Sequence, residues 1–184
     1  MQKVPSLFKR DYEGTRLVYD EMVEGCEWVR NGEGVATIKI DGTSCMVKDG
    51  MLYKRYDAKQ GKPAPEGFIA AQEPDPKTGH WPGWLEVGNG NEDKWHQEAW
   101  IVAKNALPDG TYELIGAKVQ GNPYKLAGHK LVAHGAEVAE DVPRDFDGLK
   151  AWFNDHSIEG IVWHHPDGRM CKIKRKDFGY KWPE

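Results

Sequence analysis

Lys39 is the residue of this sequence whose surroundings can turn an ordinary side chain into a reagent. It follows the apolar, β-branched run Val35-Ala36-Thr37-Ile38 and precedes Asp41-Gly42, two residues that turn a chain readily. A lysine at the end of a strand, walled by apolar neighbours, is poorly hydrated. Poor hydration disfavours the ammonium and frees the amine as a nucleophile. A lysine on a strand edge beside an ordinary Asp-Gly turn has the same local sequence, so the rest of the chain must supply what such an amine needs. Three further polar features stand in strand-like runs: Glu113 in TYELIG, Glu159-Gly160 in SIEGIVW, and Lys172-Ile173-Lys174. A charge inside an apolar strand is costly without a partner, so four such positions on strands able to pair point to one shared polar pocket. A period of two sets the ammonium groups of Lys172 and Lys174 on one face of their strand. Two adjacent cations with no carboxylate between them want an anion, and a triphosphate suits them.

Strands must carry these residues. Val35–Ile40, Thr43–Lys48 and Met51–Tyr56 read as three antiparallel strands, with Lys39 on or just before them. Lys48-Asp49-Gly50-Met51 is a hairpin signal, because Asp-Gly accepts the positive φ angles of a type I′ turn. Upstream, Leu17–Tyr19 and Trp28–Arg30 read as short strands. Residues 58–91 are rich in Gly, Pro, Asn and Asp and read as a long loop pinned by Trp81 and Trp84. A helix follows to about Asn105, with Trp95, Ala99 and Val102 at helical spacing. Thr111–Gly116 and His129–His134 read as strands. Pro143–Asp155 reads as a helix with Phe146, Leu149, Trp152 and Phe153 on its apolar face. Ile158–Trp163 and Met170–Lys174 close the series as two strands.

At 184 residues the chain has room for one domain with a real core. It contains no run of eighteen apolar residues and its N-terminus lacks the apolar segment of a secretory signal, so neither a membrane span nor export is expected. Cys26, Cys45 and Cys171 are odd in number and widely spaced, which predicts reduced thiols and a cytoplasmic setting. A net charge of −4 argues against a protein that holds nucleic acid by bulk charge, although two local basic patches exist, Lys54-Arg55 with Lys59 and Lys62, and Lys172 to Lys176. His164-His165 has no further His or Cys at zinc-ligand spacing and reads as a turn-flanking pair. Tryptophans near residues 80–84 are candidates for stacking on RNA bases.

In their order along the chain these motifs resemble those of the covalent nucleotidyltransferases, the ATP-dependent DNA and RNA ligases and the mRNA capping enzymes. The likeness rests on Lys39-x-Asp41-Gly42, Arg55 on the next hairpin, the Glu113 strand, Glu159-Gly160 and Lys172-x-Lys174. In stretches such as KVPSLFKRDYEG, GCEWV, YKRYD, EPDPKTGHWPGW and YELIGAKVQGNP the chain is most similar to small single-domain RNA ligases, and the similarity covers nearly its whole length. The resemblance implies an α+β, ATP-grasp-like adenylation domain over residues 1–184. It would consist of antiparallel sheets flanked by helices, with the nucleotide in the cleft between them and no C-terminal OB or helical domain.

The activity implied is ATP-dependent RNA ligation. Lys39 attacks the α-phosphate of ATP, the AMP passes to an RNA 5′-phosphate, and a 3′-hydroxyl displaces it. The resemblance sets Lys172 and Lys174 against the α-phosphate and Arg55 at the ribose or 5′-phosphate. It sets Glu113 near the ribose and metal, and Glu159 on Mg²⁺ (or Mn²⁺). Ile38, Asp41 and Gly42 complete the ATP contacts. An aromatic residue often stacks on the base in this family. The matching strand, LVAHG, has none, and His134 is the candidate in its place. The expected partner is RNA with 5′-phosphate and 3′-hydroxyl ends, acted on by a monomer. A DNA ligase core, a GTP-using capping enzyme and a non-catalytic nucleotide or RNA-end binder are the alternatives. An intact Lys39 argues against the binder.

Overall fold

The computed structural model describes residues 3–184. In chain order the elements are β1 (Phe8–Arg10), β2 (Val18–Met22), α1 (Glu27–Arg30), β3 (Val35–Lys39), β4 (Thr43–Lys48), β5 (Met51–Lys59), β6 (Ile69–Ala70) and β7 (His80–Glu86). There follow α2 (Lys94–Val102), β8 (Gly110–Gly116), β9 (His129–Ala133), α3 (Phe146–Asp155), β10 (Gly160–His164) and β11 (Met170–Lys174). The class is α+β, with antiparallel strands in every sheet. Contacts divide the chain into two compact units, residues 41–134 and residues 3–40 with 135–184. Among the described residues no helix is long and apolar enough to cross a membrane.

The unit of residues 41–134 holds a six-stranded sheet in the order β6-β7-β5-β4-β8-β9. Its β4–β5 turn has Asp49 at φ 51° and Gly50 at φ 76°, the pair of positive angles that the Asp-Gly dipeptide predicts. Cys45, Val47, Leu52, Tyr112 and Leu114 form the core with Ala99 of α2. Burial pushes the Cys45 thiol up to about 12, so it stays protonated. Val102, expected on the buried face of α2, is 62% exposed at the helix end. The long loop expected over 58–91 is corrected: β5 runs on to Lys59, and β6 and β7 pair beside it. Pro82 and Gly83 mask the strand pattern in the sequence, yet Pro82 and Trp84 are buried there and hold β7 to the sheet.

The unit of residues 3–40 and 135–184 is built on a three-stranded sheet, β11-β10-β3. Lys39 therefore does not share a sheet with β4 and β5, as the sequence pattern suggested. Its strand pairs with β10, more than a hundred residues later in the chain. Ile161, Trp163, Cys171 and Ile173 turn one face of this sheet into the core, where they meet Leu149 and Phe153 of α3. Asp145 caps α3 by accepting the Gly148 N–H at 2.8 Å. Trp28–Arg30, expected to be a strand, lies in the helix α1. Trp28 and Val29 are adjacent and both buried, which a strand with one buried face does not permit.

Cys26 and Cys171, both buried, form a disulfide with Cα atoms 6.2 Å apart, so the expectation of three reduced thiols is corrected. The residues lie 145 positions apart, and only the fold brings them together. Arg175 also departs from its reading as part of a basic patch. It is 5% exposed and donates to the carbonyls of Phe153, His156 and Lys181 and to the Glu184 carboxylate. It is a structural cation. Arg175→Met strands three carbonyls, that of Phe153 buried, and its unfolding free energy is expected to fall by about 3 kcal/mol in urea titration.

Candidate active site

Strand register builds the polar face of the three-stranded sheet. Gly160 is opposite Lys39 on one side and Lys174 on the other. Val162 is likewise opposite Thr37 and Lys172. Residues in register share a face. Two rows result, Lys39–Gly160–Lys174 and Thr37–Val162–Lys172, on the face away from the core. Alternation puts Cys171 and Ile173 in the core and leaves the two lysines facing outward, as their spacing predicts.

Gly160 has to be a glycine. A Cβ there would stand 2.4 Å from the Ile173 carbonyl oxygen. The missing side chain leaves the space between the two flanking lysines open. Glu159, one residue earlier, accepts from Lys39 Nζ at 2.8 and 2.6 Å through its two oxygens. Thr37 closes the second row, with Oγ1 3.1 Å from the Val162 carbonyl and 3.0 Å from His164 Nε2. Ile38 faces the other way, against the apolar core, and its N–H donates to Glu137.

The face thus gathers three ammonium groups, Lys39, Lys172 and Lys174, against the carboxylates of Glu159 and, beside Lys172, Asp177. The Lys172 ammonium is held below its ordinary value first by burial, then by the like charges of Lys39 and Lys174. A surface of this kind suits an oxyanion, which would relieve the repulsion that the fold imposes.

The other predicted residues belong to the unit of residues 41–134. Glu113 is buried and opposite Ser44 and Val132 in its sheet. Its carboxylate lies 2.5 Å from His134 Nε2. His134 Nδ1 and Ser44 Oγ are buried without a hydrogen-bond partner among the described residues. Both are polar atoms that a ligand can satisfy. Ser44 is absent from the sequence-derived set, although its place two residues after Gly42 on a strand could have raised it. Tyr124 is absent too; its hydroxyl accepts the Asp41 N–H at 2.7 Å and fixes the chain just after Lys39. Gly42 O accepts from Gln120. Arg55 sits over the Trp84 ring, 5.5 Å from its centroid, with Nε 3.2 Å from Asp57. Trp84 is 2% exposed, so it is not a stacking surface for RNA. Among the described residues no group of three or more His, Cys, Asp or Glu is placed to hold a metal ion.

The family model for RNA ligase 1 matches residues 89–184, which include Glu113, His134, Glu159, Lys172 and Lys174. RNA ligase 1 of Pongo abelii is 31% identical, over 81% of this chain and 68% of its own length. The zebrafish protein of that name, from Danio rerio, is 29% identical, over 99% of this chain and 82% of its own. The chain belongs to the RNA ligase 1 family. The mouse relative, at 30% identity, aligns over the same shares as the Pongo protein. The resemblance to RNA ligases read from the ordered motifs is thereby borne out at the level of the family.

The crowding of cations in this RNA ligase family member has a stability cost with a definite pH dependence. The folded protein disfavours a charged Lys172, so the cost is fully present below the folded pKa. It fades as pH rises from there toward 10.5, the ordinary value of a lysine. Lys172→Met is therefore expected to raise the urea midpoint at pH 7, with a gain that shrinks as the alkaline range is approached.

Proposed function

We propose that this chain is an ATP-dependent RNA ligase that forms a covalent lysyl-AMP on Lys39. One observation carries the reading: Lys39 ends a strand on the same sheet face as Lys172 and Lys174, with only Gly160 between Lys39 and Lys174. The names and alignments of the RNA ligase 1 relatives support the reaction class.

In the first step Lys39 Nζ attacks the α-phosphorus of ATP. The Nζ–P bond forms, the bond from that phosphorus to the bridging oxygen breaks, and pyrophosphate leaves with the electron pair. Glu159 holds the attacking nitrogen at the end of its row and accepts its proton, which solvent then carries away. Lys172 and Lys174 receive the charge that grows on the phosphoryl oxygens, and they are fixed before the reaction begins. In the second step an oxygen of the RNA 5′-phosphate attacks the phosphorus of the bound AMP; the O–P bond forms, the Nζ–P bond breaks, and the Lys39 amine leaves with the electron pair and takes up a proton. In the third a 3′-hydroxyl attacks that 5′-phosphate, a phosphodiester forms and AMP departs. Glu113 and His134, with Asp41, Gly42, Arg55 and the backbone of Ile38, are assigned to the nucleoside end of ATP.

Glu159 and Glu113 each offer carboxylate oxygens of the kind that Mg²⁺ or Mn²⁺ takes. With no larger acidic cluster among the described residues, phosphate and water oxygens would supply its other ligands. When bound, it would neutralise phosphate charge.

Incubation with α-labelled ATP and Mg²⁺ is expected to leave acid-resistant label on the protein, and α-labelled GTP to leave none. Lys39→Ala is expected to abolish the label; a fully labelled variant would exclude Lys39 as the nucleophile. Glu159→Ala is expected to lower the labelling rate at least tenfold, roughly 1.4 kcal/mol of barrier, and to shift the metal titration. An unchanged titration would remove Glu159 from the metal.

A further inference from the structure

Residues 5–7 of the first segment lie along the free edge of β11. Leu7 N–H donates to the Lys172 carbonyl at 2.7 Å and Lys172 N–H to the Pro5 carbonyl at 3.0 Å, a parallel bridge centred on Ser6 and Lys172. Bridge partners point to one face, so Ser6 joins the row that carries Lys172. A cavity of about 530 Å³ opens at this junction. Its wall carries Lys3, Lys9, Arg10, Lys172 and Lys174, with Asp177 as the one carboxylate.

Asp177 does not oppose an incoming anion. It is buried, lies 2.5 Å from Arg10 Nη2, and accepts the backbone N–H of Lys174 at 2.8 Å. Lys9 pairs with Glu21 at the surface. The side chains of Lys172 and Lys174 are in no ion pair among the described residues. Ser6 Oγ, in the same wall, is buried with no hydrogen-bond partner among them. Tyr12 and Tyr19 also line the cavity and are 76% and 42% exposed, far more than tyrosines placed only for packing.

We propose that this cavity binds the 5′-phosphorylated end of the RNA strand. Its phosphates would lie against Lys172, Lys174 and Ser6, and a base would stack on Tyr12. The inference rests on the ligase reading above and assigns that enzyme's polynucleotide site. Bare pyrophosphate shares the phosphate chemistry, but it fills a small part of this volume and makes no use of exposed tyrosines. Cations interleaved with aromatic faces are the pattern of single-strand binding.

The test is fluorescence anisotropy with a labelled, 5′-phosphorylated oligoribonucleotide and no ATP, on the full chain. Tyr12→Ala is expected to raise Kd about tenfold, the loss of one stacked base. Lys9→Ala is expected to weaken binding and flatten its salt dependence by roughly one unit of slope. Lys150→Ala removes the same charge on α3, outside the cavity, and serves as the reference. A 5′-hydroxyl oligonucleotide is expected to bind more weakly than the phosphorylated one. Equal losses in Lys9→Ala and Lys150→Ala, with Tyr12→Ala unchanged, would overturn the proposal. So would a Kd indifferent to the 5′-phosphate, or pyrophosphate competition unaltered in every variant. Tyr12 is exposed enough that its truncation leaves the fold intact, which a matching urea midpoint verifies. Affinity is read before any chemistry. Absence of protein label from ATP sinks the ligase reading alone, and unchanged affinities beside normal labelling sink the cavity alone.

Discussion

The constraint on which the rest depends is that one narrow sheet must bury its apolar face and still carry like charges on the other. Ile161, Trp163 and Ile173 hold β10 and β11 to the core. Because side chains alternate, that burial forces Lys172 and Lys174 to the opposite face, beside Lys39. The free energy that brings the ammonium groups together is therefore that of apolar packing, which the charges themselves oppose. A slip of one residue in the pairing of β10 with β11 would turn the lysines toward the core and expose Ile173. The register is strongly specified for that reason, and with it the spacing of the cations.

The interactions around this face divide into those that hold and those that are left open. Arg175, Asp177 and the Cys26–Cys171 disulfide are buried and bonded on all sides, and they anchor the two ends of β11 and its flank. Lys172, Lys174 and Ser6 are left with unused donors in the neighbourhood of a cavity. In the other unit, Glu113 and His134 satisfy one another while His134 Nδ1 and Ser44 Oγ stay unmatched. Unmatched polar atoms cost stability, and natural proteins keep them mainly where a ligand completes them.

Much of this was legible before any coordinates. The alternation in Lys172-Ile173-Lys174, the Asp49-Gly50 turn and the apolar stripe of α3 are local signals, and each is found as read. What the sequence hid is non-local. Nothing in Val35–Lys39 says that its partner is Gly160–His164 rather than the strand that follows it, because pairing across more than a hundred residues leaves no trace in spacing. The cysteine bridge is hidden for the same reason. The strand β7 was missed because Pro82 and Gly83 are poor strand formers whose neighbour Trp84 is nonetheless buried. There tertiary packing overrides local preference. The Ser6–Lys172 bridge also escapes a sequence reading, since Lys3–Arg10 shows no strand periodicity of its own.

The pairing of β3 with β10 has a consequence for the newborn protein. Lys39 leaves the ribosome early, yet its strand neighbours and Glu159 are synthesised some 120 residues later. At a typical rate of roughly 5–20 residues per second, the lysine waits several seconds without them. During that interval Lys39 has neither its carboxylate partner nor the two lysines that share its sheet face. Synthesis of residues 159–174 thus completes the charged face of the sheet, and a chain interrupted before them lacks it.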